Sequence, residues 1–270
     1  AVFISKKIFA IVKFYNLRLS LSLMEKIMKA LLFSVCLSIL ALPCFGQSED
    51  RLPDALAQAD SLFKVRKYTE SFKIYEHLLY AERQASPAML LRMSFIKEGL
   101  GNSSEALYYL NLYYLQTADR KVLSKMEELA TKEGLFGYDF SDWEFIQTIF
   151  YRYFMHFVAV LSALALLMLA IMYYQKFKLG KSPIPAALGL IFVLCILFYT
   201  LNFGKDYGKS LVNDSNTYIM TGPSAGAEVI AVIGKGHRVE VGSDKDVWTQ
   251  IEWKGQKGFV KQDKLKPISF

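Results

Sequence analysis

Three histidines, three cysteines and one acidic cluster are the residues of this 270-residue chain whose types could do chemistry. His77, His156 and His237 fall in three different segments. None has the i, i+4 partner that lets two imidazoles share a metal on one helix face. Cys36 and Cys44 sit in an N-terminal apolar segment and Cys195 in the middle of a later one. If the N-terminal segment is cleaved, the soluble parts hold no thiol for a disulfide, a zinc site or nucleophilic attack. Asp139, Asp142 and Glu144 have the composition of a cation site. Their place around Ser141, at a helix start, is accounted for by capping and solvated charge. The run GKGHR, residues 234–238, is glycine-rich and basic. It lacks the strand–loop–helix context of a phosphate loop and reads as a turn entering a strand. No Gly-x-Ser-x-Gly occurs either. The expectation is a chain that is not an enzyme and holds no cofactor and no metal.

What dominates the chain is instead two runs with no charged side chain, residues 154–174 and 184–203. About 20 residues of helix, rising 1.5 Å each, span the roughly 30 Å of bilayer hydrocarbon. A helix does so while satisfying its own backbone hydrogen bonds. The linker, residues 175–183, is too short to be a domain and forces a helical hairpin. It carries Lys176, Lys178 and Lys181 with no acidic residue. Positive charge stays on the cytoplasmic side, so the linker is expected inside and both flanking arms outside. The alternative is a pair of buried core helices of a soluble protein.

The formal charge of +7 would fit a nucleic-acid partner, but its distribution does not. Residues 47–152 carry 13 basic and 16 acidic side chains, and the excess of positive charge lies in the N-terminal segment, the linker and the last arm. No basic groove for phosphates is discernible, and no nucleic-acid partner is expected.

Residues 24–46 read as a signal peptide: MEKIMK is a positive start, ALLFSVCLSILAL an apolar core and PCFGQ a cleavage region before Gln47. Residues 1–23 read as an upstream extension. The alternatives are an uncleaved signal anchor and, since Pro43 precedes Cys44 unfavourably, a lipoprotein signal.

The first arm contains four helices in two hairpins offset by 35 residues, within about 53–65, 68–83, 87–100 and 103–114. KYTESFKIYEHLL and GNSSEALYYLNLYYL repeat one pattern: Tyr68, Ser71, Phe72 and Tyr75 match Ser103, Ala106, Leu107 and Leu110. Ala59 and Ser94 supply small residues in the first helices, and Gly101 a turn glycine. On these residues the arm, 47–133, resembles a tetratricopeptide array, with the helix of residues 120–133 as its cap. Arg66 departs from the pattern at the first turn, and two repeats are fewer than the usual three. An unrelated helix bundle is the alternative. The resemblance implies a concave groove lined by Leu56, Asp60, Phe63, Lys64, Leu91, Phe95 and Glu98. Its two phenylalanines would receive an apolar peptide or helix, or else are core residues. Residues 134–153 form a juxtamembrane segment whose Trp143, Tyr151 and Tyr153 approach the bilayer as interfacial aromatics do.

After a polar tether, residues 204–216, the apolar period changes to two from Thr217 onward. Short strands with Gly-rich turns argue for a small barrel over residues 217–270. The order GPS, VIAVIGKGHRVEV, W-x-x-I, GQKGFV and a final leucine resembles the bacterial SH3-like domain, with Phe259 where that family often has Trp. A different small barrel is the alternative. Tyr218, Trp248, Trp253 and Phe259 are the candidate contact aromatics. Alternation puts Trp248 and Trp253 on opposite faces, so at least one of them is expected in the core.

The expected fold is thus a multidomain membrane protein: an all-α repeat arm, a two-helix transmembrane hairpin and a small all-β barrel. From Met24 to the end, this order of domains resembles the BatE-type proteins of the Bacteroides aerotolerance cluster, a family of Bacteroidota. The resemblance implies a scaffold in the inner membrane with both arms periplasmic, near membrane proteins with von Willebrand A domains and a MoxR-type ATPase. The repeats would dock a partner chain, and the barrel a second partner or peptidoglycan. A cell-wall sensor is the alternative reading.

Overall fold

A computed structural model describes residues 52–180, 182–204 and 207–270. The signal peptide, the upstream extension, Cys36, Cys44 and Lys181 lie outside the described residues. The first arm is built of α1 (Leu52–Lys64), α2 (Tyr68–Tyr80), α3 (Pro87–Gly99), α4 (Ser103–Thr117) and α5 (Lys121–Glu133), followed by α6 (Asp142–Arg152). Two further helices are long and apolar enough to cross a membrane, α7 (Phe154–Phe177) and α8 (Ile184–Phe203). The last arm is a sheet of β1 (Lys209–Val212), β2 (Thr217–Met220), β3 (Val229–Ile233), β4 (Arg238–Lys245), β5 (Trp248–Trp253), β6 (Gln256–Lys261) and β7 (Leu265–Pro267).

The 35-residue offset is visible in the turns. At the first, Arg66 N–H donates to Phe63 C=O and Lys67 N–H to Leu62 C=O. At the second, Gly101 N–H donates to Glu98 C=O and Asn102 N–H to Lys97 C=O. Both turns close through a left-handed residue, φ +64° at Arg66 and +74° at Gly101. Glycine adopts that conformation without a Cβ penalty, whereas Arg66 bears one. The four small positions, Ala59, Ser71, Ser94 and Ala106, are all buried. Ser71 Oγ donates to the Ala59 carbonyl at 2.8 Å, so the small residue both admits the neighbouring helix and ties to it. Ser86 caps α3 through a bond from Met89 N–H. α4 is capped by Asn102, one residue before the serines expected in that role.

In the sheet the strands run in the order β3-β2-β6-β5-β4-β1-β7, with every neighbouring pair antiparallel. Lys254 and Gly255, both at positive φ, make the two-residue turn between the paired Trp253 and Gln256. Two expectations are corrected here. Residues 209–212, assigned to the tether, form β1 and pair with β4 and β7. The segment is too short and too polar for its period to show, and its pairing partners supply its ladder. The two arms are also not separate modules. Residues 49–154 and 201–270 form one compact unit, and residues 155–200 belong to the other. Tyr207, Leu211 and Ile268 of the last arm are buried in the same core as α2 to α5. The Lys266 ammonium sits 3.8 Å from the centre of the Tyr108 ring. Sharing a core lets two arms too small to bury much surface alone stabilise each other.

Candidate functional site

The face expected to be a groove is assembled by α1, the start of α2, and α3. Phe63, Tyr68 and Phe95 meet edge to face, with ring centres 5.3, 5.8 and 5.9 Å apart. Phe63 and Tyr68 are half-buried, while Phe95 is 55 % exposed. The Arg92 guanidinium lies 5.6 Å from the Phe63 ring centre and pairs with Asp60. Asp60 also accepts from Tyr75 Oη at 2.7 Å. Burial and the bond to Asp60 hold the Tyr75 phenol above its usual range, so it remains a donor. Glu98 is likewise committed, to Lys125 at 2.8 Å. Of the seven groove residues, Asp60 and Glu98 therefore serve the arm itself. Leu91, Phe95 and Lys64 are exposed, and Leu56 and Phe63 are half-buried. Tyr68 and Arg92 were not among the expected groove residues. Arg92 is the repeat match of Ala57, which carries no charge, and only the pairing between α1 and α3 joins it to Asp60.

Of the candidate aromatics of the barrel, Tyr218 is 55 % exposed and lies directly opposite the exposed Val232 of β3. Phe259 is half-buried beneath the Lys245 ammonium, 5.6 Å from its ring centre. Trp248 and Trp253 are both buried. Trp253 belongs to the barrel core and is closed over by Phe136 and His237, whose ring centres are 5.1 and 5.2 Å away. Phe136 comes from the loop after α5, so the cover is supplied by the other arm.

That seam holds the two charged side chains that are buried among the described residues, Arg238 and Glu144. Arg238 is almost fully buried and pairs with Glu144 on α6. Its guanidinium also donates to Gly137 C=O at 3.2 Å and to Tyr207 Oη at 3.2 Å, and stacks 4.9 Å from the Phe140 ring centre. Tyr207 donates to Glu144 at 3.1 Å. Burial pushes the Tyr207 phenol up to about 12, with Arg238 opposing and Glu144 reinforcing, so the donor proton stays on. Tyr138, raised by burial, donates to Gly236 C=O at 2.7 Å. Arg238 N–H donates to Phe136 C=O, and Phe136 N–H to His237 Nδ1, each at 2.9 Å. Glu144 is thus not the solvated charge expected of it. Ser141 does cap α6, accepting from Glu144 N–H at 3.2 Å, while the Glu144 side chain turns inward to Arg238. Among the described residues no group of three or more His, Cys, Asp and Glu could hold a metal. A cleft of about 250 Å³ opens beside the seam, lined by Asp139, Trp143, Lys209, Glu240, Glu252 and Lys254 among others, and so carries both signs of charge.

The seam is expected to make the unit sensitive to pH. Burial, and then the Lys254 charge, lower the His237 pKa below its usual value near 6.5. Its Nδ1 must be unprotonated to accept from Phe136. The flanking charges on this side of the seam are Lys254 and the Arg238–Glu144 pair. Above about pH 6.5 the contribution is complete. As pH falls through the lowered folded value, the unfolded chain binds the proton more readily and stability drops. Urea midpoints of the full chain in detergent at pH 7.5 and 5 are expected to differ more for the parent than for His237→Gln. Equal differences would mean that His237 does not contribute.

Residues 215–266 match the family model of the bacterial SH3 domain. The last arm carries a bacterial SH3 domain. No curated protein and no solved structure matches the chain. The matched residues run from just before β2 into β7, and β1 precedes them in sequence yet lies between β4 and β7 in the sheet.

Proposed function

We propose that the chain is a scaffold anchored in a bacterial inner membrane by α7 and α8, with its helical arm and SH3 domain on the periplasmic side, and that it does no catalysis. In this reading the helical arm is a short tetratricopeptide-like array. Its exposed Phe95, resting on Phe63 and Tyr68, receives an apolar side chain of a partner protein. The observation that carries the reading is this aromatic trio: a large ring left 55 % open beside Asp60 and Arg92, which pair with each other. The identical turns at Arg66 and Gly101 support the repeat assignment. Placement of both arms on one side rests on Lys176, Lys178 and Lys181, and on the flanks of the two spans. Tyr151, just before α7, meets Tyr207, just after α8, with ring centres 6.0 Å apart. In this reading the order of domains resembles that of the BatE-type proteins of the aerotolerance cluster, and von Willebrand A-domain membrane proteins are the partners to seek.

A crosslinked pull-down from native membranes, with a tag after Phe270, tests this. Recovery of von Willebrand A-domain proteins, lost with Phe63→Asp and Phe95→Asp, is the expected result. The exposed Tyr218–Val232 pair on the SH3 domain favours a second reading, a peptidoglycan-binding sensor. Retention of cell-wall fragments alone, unchanged by the two groove variants, would replace the first reading with the second.

A further inference from the structure

Helix α6 has two opposite faces. On one, Glu144 and Thr148 are buried, and Phe145 and Tyr151 pack against the core of the helical arm. On the other, Trp143, Ile146, Phe150 and Tyr153 recur at i, i+3, i+7 and i+10, a stripe roughly 80° wide at 100° per residue. Trp143 is 67 % exposed, Ile146 54 % and Tyr153 41 %, and Phe150 is half-buried. No charged side chain lies in the stripe. Large apolar side chains as exposed as Trp143 and Ile146, on the solvent side of a polar seam, are unfavourable in water and imply something that covers them.

We propose that this stripe lies in the boundary between lipid headgroups and acyl chains, so that α6 is an interfacial helix held between the bilayer and the SH3 domain. Two observations name lipid as the occupant. The first is continuity: α6 ends at Arg152, Tyr153 is the cap that interrupts the helix, and the next residue begins the apolar helix α7. Trp143 is then only about 15 Å of helix from the start of that span. The second is composition. Trp and Tyr pair an apolar ring with a polar edge and concentrate where hydrocarbon meets headgroup, and a helix with one such face lies in that plane. The consequence reaches the binding domain. Glu144 on the opposite face pairs with Arg238 of β4, so the membrane contact of α6 would hold the SH3 domain at the bilayer surface.

The inference rests on the reading that α7 and α8 cross a bilayer, and the test separates the two. The full chain is reconstituted in dioleoylphosphatidylcholine vesicles, with and without a phosphatidylcholine brominated near the headgroup end of its acyl chains. Subtracting the emission of Trp143→Phe from that of the parent isolates Trp143 from Trp248 and Trp253. The expected result is loss of at least half of the Trp143 emission in the brominated vesicles, with several-fold protection from aqueous iodide. A Leu194→Trp reporter in the Trp143→Phe background, with lipid brominated deep in the chain, checks the span. Quenching of that reporter without quenching of Trp143 overturns the interfacial helix alone, and a Trp143 shielded from both lipid bromine and iodide would assign the stripe to a protein instead. No quenching at either position would remove the membrane-spanning reading together with the inference.

Discussion

Replacing Arg238 by alanine is expected to destabilise the fold by about 3–5 kcal/mol, the range for stranding one member of a buried ion pair. The side chain is almost fully buried, and its loss leaves the Glu144 carboxylate and the Tyr207 hydroxyl without their shared donor. The cost is the desolvation of groups that water can no longer reach, more than the attraction lost between the two charges. The double change Arg238→Met with Glu144→Leu removes both charges at similar volume and is expected to recover most of the loss. Urea titration of the full chain in detergent measures both, and near-ultraviolet circular dichroism reports whether the seam tryptophan, Trp253, keeps its packing. A single-variant cost under about 1 kcal/mol would mean that the seam is held by its apolar contacts, Tyr207, Leu211 and Ile268, and not by this network.

The second large effect is expected at Gly137. A Cβ built there collides with the backbone oxygen of Arg238 and lies 2.8 Å from its carbonyl carbon. These are backbone atoms of β4, and no side-chain rotation relieves them. The residue also has φ +93°, outside the range that alanine adopts without strain. Overpacking and backbone strain together place the cost of Gly137→Ala at about 3 kcal/mol. Gly134→Ala is the internal comparison. It too has positive φ, +65°, but nothing lies within 4 Å of its Cβ position, so only the conformational cost of about 1 kcal/mol applies. Similar costs for both would show that the loop can move off the barrel and that the close approach is not required. A red-shifted emission of Trp253 in Gly137→Ala alone would locate the damage at the seam.

The helix turns were legible because a hairpin of helices is a local structure. Its caps, small residues and period lie within one stretch of chain, so the 35-residue match of Tyr68 to Ser103 and the buried set Ala59, Ser71, Ser94 and Ala106 could be read directly. The strands from Thr217 onward were legible for the same reason, by alternation and turn residues. The candidate site was legible only in part. Phe63 and Phe95 were found as apolar residues on first helices, but their partners Tyr68 and Arg92 join them through contacts between helices, which no local pattern encodes. The barrel tryptophans show the converse failure. Alternation places Trp253 on one face of β5, yet whether that face meets water depends on Phe136, 117 residues earlier in the chain.

By itself the sequence determined the kind of each segment: helical hairpins, two runs apolar enough to span a bilayer with a basic linker between them, and a small β domain of the SH3 type. These follow from periodicity, hydropathy and turn chemistry, which act over a few residues. Only the tertiary structure decided that the two flanking arms share one core, that residues 209–212 are a strand, and that Glu144 is a buried partner of Arg238. The physical reason is that a charge 94 residues from its counter-charge has the same local signature whether it ends in water or against an arginine. Burial is a property of what arrives to cover a residue, and that arrival is set by packing between segments.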